Sequence, residues 1–514
     1  MDEPHLKREL GLLRATMLGI GGTLSAGNFV IIGHATSLAG YSIVPVVFVC
    51  GIISLLTMFS YCELGTMIPR AGGEYTFVKL AYGGFVSFLT GWFEWLSNMF
   101  YAALSSIGFA YVISYLIPQI NIPLTAVIMV IIFTIINIRG VKETATVETV
   151  ITAVVLAILG IYILSGWSYS PETQISIPSA PVGLLGIFAA TAYLFELYLG
   201  AEAVAAAQAE VKDPGKNIPR AIILSAIVLI ILYTSVVYIA VKVVSPEVLS
   251  KQTSPIAFVA EQMMGPIGGF LVTIGLAIAG LAATNEAIMA QSRVLYAMSR
   301  DGYFPKRLLE IHERFSSPYV AIVVGAVFIL VFTATGFVNF VVYAVNLGFI
   351  VGFSIVNLSV MKLRREKPLL DRPFKVPFYP YIPIAGIAAS LLLLAFIDAG
   401  VLVLGIELIL VALLVYYIRM VGYHRIRIAF GGISLSLGGF TALTTYLIGT
   451  SVIELNGVGP STTTAVFYIL LLVSIIQILA GILNITAKPK PPLRPWTPPS
   501  AKRDYKKRKR TQTL

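Results

Sequence analysis

Charge is scarce in this chain: of 514 residues, only 12% are Asp, Glu, Lys or Arg, about half the share in an ordinary soluble domain. That scarcity excludes a water-solvated fold of this length. Cysteine is almost missing too. Cys50 and Cys62 are the whole supply, and both fall in one apolar segment. Twelve residues of helix separate them by about 18 Å, too far for a disulfide. Four histidines are present, and none stands at metal-ligand spacing with cysteines or carboxylates. There is no nucleophile triad, and the one glycine-rich stretch, residues 19–27, sits inside a hydrophobic segment rather than after a strand. The sequence therefore predicts neither an enzyme nor a bound cofactor.

What is abundant is apolar. Hydrophobic residues make up 57% of the chain, and the mean hydropathy is +0.87. Stretches of roughly 20 apolar residues recur, each long enough for a bilayer core of about 30 Å. The pattern predicts an all-α integral membrane protein with about fourteen spans, centred near residues 26, 55, 100, 130, 156, 195, 230, 280, 326, 350, 389, 408, 438 and 474. The first span is not a cleaved signal peptide: it is too long, Asp2 and Glu3 precede it, and further spans follow.

The net charge of +11 is local. Residues 488–514 hold ten Lys/Arg against one Asp and are rich in proline. They read as a disordered basic cytoplasmic tail, solvated or resting on anionic lipid headgroups, rather than as a nucleic-acid-binding segment. With a cytoplasmic N-terminus, every other Lys and Arg falls on the cytoplasmic side except Lys242 and Lys251. That bias orients a multi-pass cell-membrane protein with both termini cytoplasmic. The sequon Asn484-Ile485-Thr486 then faces the cytoplasm and should be unused. The domain reading is one membrane domain, 1–487, with core repeats at about 12–166 and 182–361 and extra spans at about 381–487, followed by the tail.

Two spans are interrupted midway by small and polar residues. The first interruption is Gly19-Ile-Gly-Gly-Thr-Leu-Ser-Ala-Gly-Asn-Phe29, and the second is Tyr198-Leu-Gly-Ala-Glu202. Backbone freed at membrane depth is tolerable only where it lines a cavity. Paired breaks in two halves of a chain point to a central substrate site. The rival explanation is that the glycines merely permit close helix packing.

Four stretches carry a resemblance to the amino acid–polyamine–organocation transporter superfamily, over most of residues 5–420. They are the first-span element 19–29; the loop Pro69-Arg-Ala-Gly-Gly-Glu-Tyr75; Tyr198-Leu-Gly-Ala-Glu-Ala203 through Glu210-Val-Lys-Asp-Pro-Gly-Lys-Asn-Ile-Pro219; and Ser292-Arg-Val-Leu-Tyr-Ala-Met-Ser-Arg-Asp-Gly-Tyr-Phe-Pro305 with Arg372-Pro-Phe-Lys-Val-Pro377. The resemblance implies an inverted-repeat (5+5) transporter fold with broken helices 1 and 6 and about four additional C-terminal spans. It also implies a secondary transporter working by alternating access.

The half-helix beginning near Gly27 aims free amides at the first break, which suits a substrate carboxylate. Carbonyls near Thr23, Leu24, Tyr198 and Leu199 suit an ammonium, so an amino acid fits both poles. In the family pattern, Ser25, Ala26 and Gly27 stand where Gly-Ser-Gly is usual, and Asn28 replaces an apolar residue. The contact is therefore transposed to Asn28, or the substrate has changed.

Four carboxylates fall inside core spans: Glu94, Glu196, Glu202 and Glu286. Each should face the bundle interior or a partner. Glu202 matches a family glutamate beside Gly200, Glu94 shares a helix face with Asn98, and Glu286 adjoins Asn285. Glu196 falls near a position where relatives place an aromatic gate. These groups neutralise a cationic substrate, carry protons for coupling, or serve as structural partners. The lysine that some relatives use in place of an ion is replaced here by Val155. Ala283 and Thr284 give an incomplete sodium-type pair.

Trp92-Phe93 and Trp95 are gate or packing aromatics. Tyr41, Tyr111 and Tyr115 are candidate interfacial anchors, His34 is placed at the outer mouth, and Glu407 at a helix–helix or homodimer contact. The expected function is amino acid transport with cationic substrates favoured. The alternatives are a proton-coupled broad or neutral amino acid transporter, a polyamine exchanger, and a non-transporting amino acid sensor. A channel or a membrane enzyme is disfavoured.

Overall fold

Apolar segments in a bilayer adopt helix because no other open backbone satisfies its own hydrogen bonds there, and this chain follows that rule wherever it is described. A computed structural model describes residues 10–68, 73–140, 145–170, 183–315, 317–420, 424–449 and 460–486. Among them the helices are α1 (Leu12–Gly21), α2 (Ala26–Ala39), α3 (Ile43–Met67), α4 (Gly73–Ala81), α5 (Gly84–Ser114), α6 (Ile122–Ile138) and α7 (Ala145–Ser168). There follow α8 (Leu184–Leu194), α9 (Ala203–Ala206), α10 (Pro214–Val243), α11 (Pro246–Leu249), α12 (Pro255–Arg300), α13 (Tyr319–Thr335) and α14 (Val338–Glu366). The last are α15 (Tyr381–Leu394), α16 (Ala399–Met420), α17 (His424–Gly449) and α18 (Pro460–Thr486). Eight helical stretches among the described residues are long and apolar enough to cross a membrane, and shorter apolar helices lie between them. Each of the fourteen expected span centres falls in or beside one of these helices. The loop residues 69–72 and the tail 488–514 lie outside the described residues.

The architecture is the expected inverted-repeat transporter fold. In the first repeat the broken pair α1–α2 leads α3, α5, α6 and α7. In the second the broken pair α8–α9 leads α10, α12, α13 and α14. α3 packs along α10, and α5 along α12, so the second and third spans of each repeat face their counterparts in the other. Cys50 and Cys62 are buried free thiols on α3. The described residues from 413 onward belong to a second compact unit, in which α17 and α18 lie against one another. There Ser434 Oγ donates to the Gln477 carbonyl at 2.7 Å.

Both breaks are present. After α1 the chain turns through residues 22–24, and Ser25 caps α2 by accepting the Gly27 N–H at 3.2 Å. After α8 a 3-10 turn, Phe195–Tyr198, passes into extended Leu199, and Gly200 takes φ +127°. A Cβ at Gly200 would stand 2.4 Å from the Gly22 carbonyl oxygen and 2.6 Å from the Thr23 nitrogen. The two breaks therefore lie on each other, backbone to backbone.

A buried ion cluster fixes the end of the bundle that carries the Lys/Arg-rich loops. Glu63, 1% exposed, accepts from Arg364 Nε at 2.9 Å and Nη2 at 2.6 Å. Arg372 Nε stands 3.3 Å away, and the Val376 N–H donates at 2.7 Å. One carboxylate thus ties α3 to α14 and to the loop that follows it.

Four variants test these contacts. Glu63→Gln strands two guanidinium groups and should cost about 3–5 kcal/mol, read as thermal unfolding in detergent. Glu366→Gln breaks only an exposed i,i+4 pair with Lys362 and should cost under about 0.5 kcal/mol. Gly200→Ala should lower the unfolding temperature through strain of about 1–3 kcal/mol plus the clash. Gly160→Ala, with open space around it, should be neutral or mildly stabilising.

Candidate functional site

A cavity of about 530 Å³ runs from the two breaks toward Arg293 and Arg300 at the end of α12. Its wall includes Gly22 and Leu24 of the first break and Leu199, Gly200 and Glu202 of the second. Glu94 and Asn98 from α5, and Glu286 from α12, face it as well. Seven of the fifteen candidate residues therefore meet at one hollow: Leu24, Glu94, Asn98, Leu199, Gly200, Glu202 and Glu286.

The other eight lie behind its wall. Ser25 is held by Ser105 at 2.8 Å, and Ala26 and Gly27 pack on α5, where a Cβ at Gly108 would stand 2.3 Å from the Gly27 nitrogen. In this conformation the Gly27 amide donates to Ser25 rather than facing the cavity. The Thr23 carbonyl, expected to be free, accepts the Asn28 amide at 2.8 Å and the Tyr233 hydroxyl at 3.1 Å. The physical reason is Asn28 itself, whose side chain folds back over the break. Tyr198 donates its hydroxyl to the Val47 carbonyl at 2.8 Å, and Ser54 approaches its carbonyl at 3.4 Å. Asn285 turns away and bonds Asn137 of α6 at 2.8 Å, while its neighbour Glu286 faces in.

The four core carboxylates are held differently. Glu202 accepts the Gly200 N–H at 2.9 Å on each oxygen, so it stabilises the turn of its own break. Glu94 accepts the Tyr75 N–H at 3.2 Å and anchors the start of α4. Glu286 lies 3.0 Å from where a Gly22 Cβ would be, close against the first break. Glu196 is 0% exposed, outside the cavity, and neither oxygen meets a hydrogen-bond donor among the described residues.

The loop Pro69–Tyr75 supplies residues that the span-based reading did not select. Glu74 lines the cavity, accepts a hydrogen bond from the Tyr61 hydroxyl and packs on Gly352. Burial, followed by the Glu94 charge, pushes its carboxyl well above the usual range. Glu148 and Thr152 of α7 flank Gly21, and Tyr101 donates to the Gly22 carbonyl at 3.1 Å. Thr152 reaches the first break one turn before Val155, which also lines the cavity. The motif around Glu74 was visible in the sequence; its reach into the bundle was not.

The remaining aromatics are packed. Trp92 and Trp95 stand 5.4 Å apart in a cluster with Phe88 and Phe304, and Trp95 Nε1 donates to Gln291 at 2.9 Å. Neither tryptophan lines the cavity. Tyr115 bonds Glu261, His34 meets the Tyr193 ring edge-on at 4.9 Å, and Glu407 is half-buried on α16 with Oε2 unpartnered among the described residues.

The family model described as amino acid permease matches residues 10–418. The chain is 28% identical to the branched-chain amino acid permease BcaP of Bacillus subtilis, over 81% of this chain and 94% of that one. It is 29% identical to the methylthioribose transporter of the same organism, over 74% and 87%. It is 27% identical to the large neutral amino acids transporter small subunit 2 of Mus musculus, over 82% of each. Apolar helices of this length and number make a multi-pass membrane protein. The match to the family model spans both broken helices and the whole cavity, and the chain belongs to the amino acid permease family, as a transporter and not an enzyme.

Proposed function

We propose that the protein moves amino acids across the cell membrane by alternating access around the paired breaks, with cationic amino acids preferred. The observation that carries the preference is the charge of the cavity wall. Beside Glu74, whose buried carboxyl is held well above the usual range, five carboxylates line it (Glu94, Glu148, Glu202, Glu210 and Glu286) against two cations, Arg293 and Arg300. A low-dielectric cleft lined by one sign of charge concentrates the opposite sign. In this reading the N- and C-termini are cytoplasmic, so the cavity faces the cytoplasm and the described conformation is inward-facing. The substrate carboxylate takes the amides near Ser25–Asn28 once Ser25 releases Gly27. The ammonium takes the carbonyls near Thr23 and Leu199.

A second reading is transport of a neutral amino acid with a wall carboxylate carrying a coupling proton. It is supported by the relatives, two of which are named for branched-chain or large neutral amino acids.

Counterflow in proteoliposomes separates the readings, with labelled lysine, arginine, leucine and putrescine each tested under separate pH, sodium and voltage gradients. Saturable lysine and arginine exchange is expected; leucine exchange with indifference to lysine, arginine and putrescine overturns the cationic preference. Glu94→Gln and Glu286→Gln should raise the half-saturating lysine concentration about tenfold or more, since a charged hydrogen bond is worth about 1.5–3 kcal/mol. Half-saturation by leucine should change less than about threefold. Equal losses for both substrates assign these two groups to structure.

A further inference from the structure

Three of the four core carboxylates lie against the breaks or the start of α4: Glu202 on the Gly200 amide, Glu94 on the Tyr75 amide, and Glu286 against Gly22. Glu196 stands apart from them. Its side chain is fully buried on the 3-10 turn that ends the first half of the broken helix, and both oxygens lack donors among the described residues.

The polar groups that the neighbouring helices bring to this part of the second break, among the described residues, bond elsewhere. Tyr101 from α5, Tyr193 from α8 and Tyr233 from α10 bring phenols within reach of its charge. The Tyr101 hydroxyl is engaged by Gly22, that of Tyr233 by Thr23, and that of Tyr193 by Asn339 at 2.6 Å. On α3 the Cys50 thiol donates to the Thr191 carbonyl. From α14, Asn346 donates to the Ala192 and Tyr193 carbonyls, and its Oδ1, like that of Asn28 on α2, is unpartnered among the described residues. His34 of α2 contacts Tyr193. No ion pair among the described residues includes Glu196.

A bare carboxylate cannot persist in such surroundings without a positive partner. Glu196 is no part of the cavity wall, so a substrate-sized cation held in the cavity does not meet it in this conformation. A proton can.

We propose that Glu196 is one cation site used in turn by two ligands: a proton in the conformation described here, and the positive group of the substrate when the opposite side opens. This rests on the cationic-substrate reading above. On that side the O–H bond of the acid breaks and its proton passes to water. The carboxylate then takes the ammonium or guanidinium through ionic hydrogen bonds, with no covalent bond to the substrate. One carboxylate cannot hold both cations, so each expels the other, and the coupling is reciprocal. The protein is then an exchanger of protons for cationic substrate, with Glu196 as the point of exchange.

Infrared difference spectra of the purified full-length protein at neutral pH test the protonated state without any substrate. The carbonyl-stretch band of neutral carboxylic acids should be present in the wild type and lose the intensity of one acid in Glu196→Gln. It should be kept in Glu366→Gln, an exposed control. Size-exclusion profile and unfolding temperature establish that the Gln variant is folded. No band difference for a folded Glu196→Gln overturns the proposal. The second measurement adds lysine to weakly buffered protein with a pH-sensitive dye. About one proton released per lysine bound is expected in the wild type, and none in Glu196→Gln. Lysine binding without proton release defeats the competition alone. Failure of lysine to bind defeats the substrate reading and the competition with it, while the infrared result still reports the state of Glu196.

Discussion

The structure depends on satisfying peptide groups where two helices stop at membrane depth. Gly200 has no side chain, so the second break can lie directly on the Gly22 carbonyl and the Thr23 amide. The exposed groups are then covered one by one. Tyr101 takes the Gly22 carbonyl, Asn28 and Tyr233 take that of Thr23, and Glu202 takes the Gly200 amide. These side chains come from α5, α2, α10 and the second break itself. Lipid offers no substitute for any of them, so the broken helices are stable only inside the bundle that supplies these partners.

That arrangement separates two kinds of carboxylate. Where a backbone amide is available, as for Glu94 and Glu202, the charge joins the framework of the break and also colours the cavity. Where none is available among the described residues, as for Glu196, the proposed role is to take a partner from outside the fold. At the loop end, Glu63 is different again: its cations are built in, and it serves attachment rather than exchange. The same residue type thus does three jobs, set by which donors the neighbouring helices bring.

The helices and both interruptions were legible in the sequence because each rests on local signals: apolar runs of bilayer length, interrupted by small and polar residues at 19–29 and at 198–202. The rotation of each side chain was not legible. Glu286 and Asn285 are neighbours about 100° apart on one helix, and only packing decides that the glutamate faces the cavity while the asparagine bonds α6. Residues 195–198 tighten into a 3-10 turn, which re-aims Glu196 relative to a continuous α-helix. Glu74 sits in a loop motif, and nothing local says that α4 carries it into the bundle. The free carbonyl expected at Thr23 is covered by Asn28, a residue noted in the sequence as a departure without its partner being evident.

Asn28 has a consequence for how such a site handles cargo. Its amide already occupies the Thr23 carbonyl, so in the proposed binding mode an ammonium must exchange one contact for another instead of meeting an open acceptor. Arrival therefore yields little net energy, and departure demands little. A binding place furnished with its own stand-in favours loose holding and rapid release, which suits a carrier better than a scavenger.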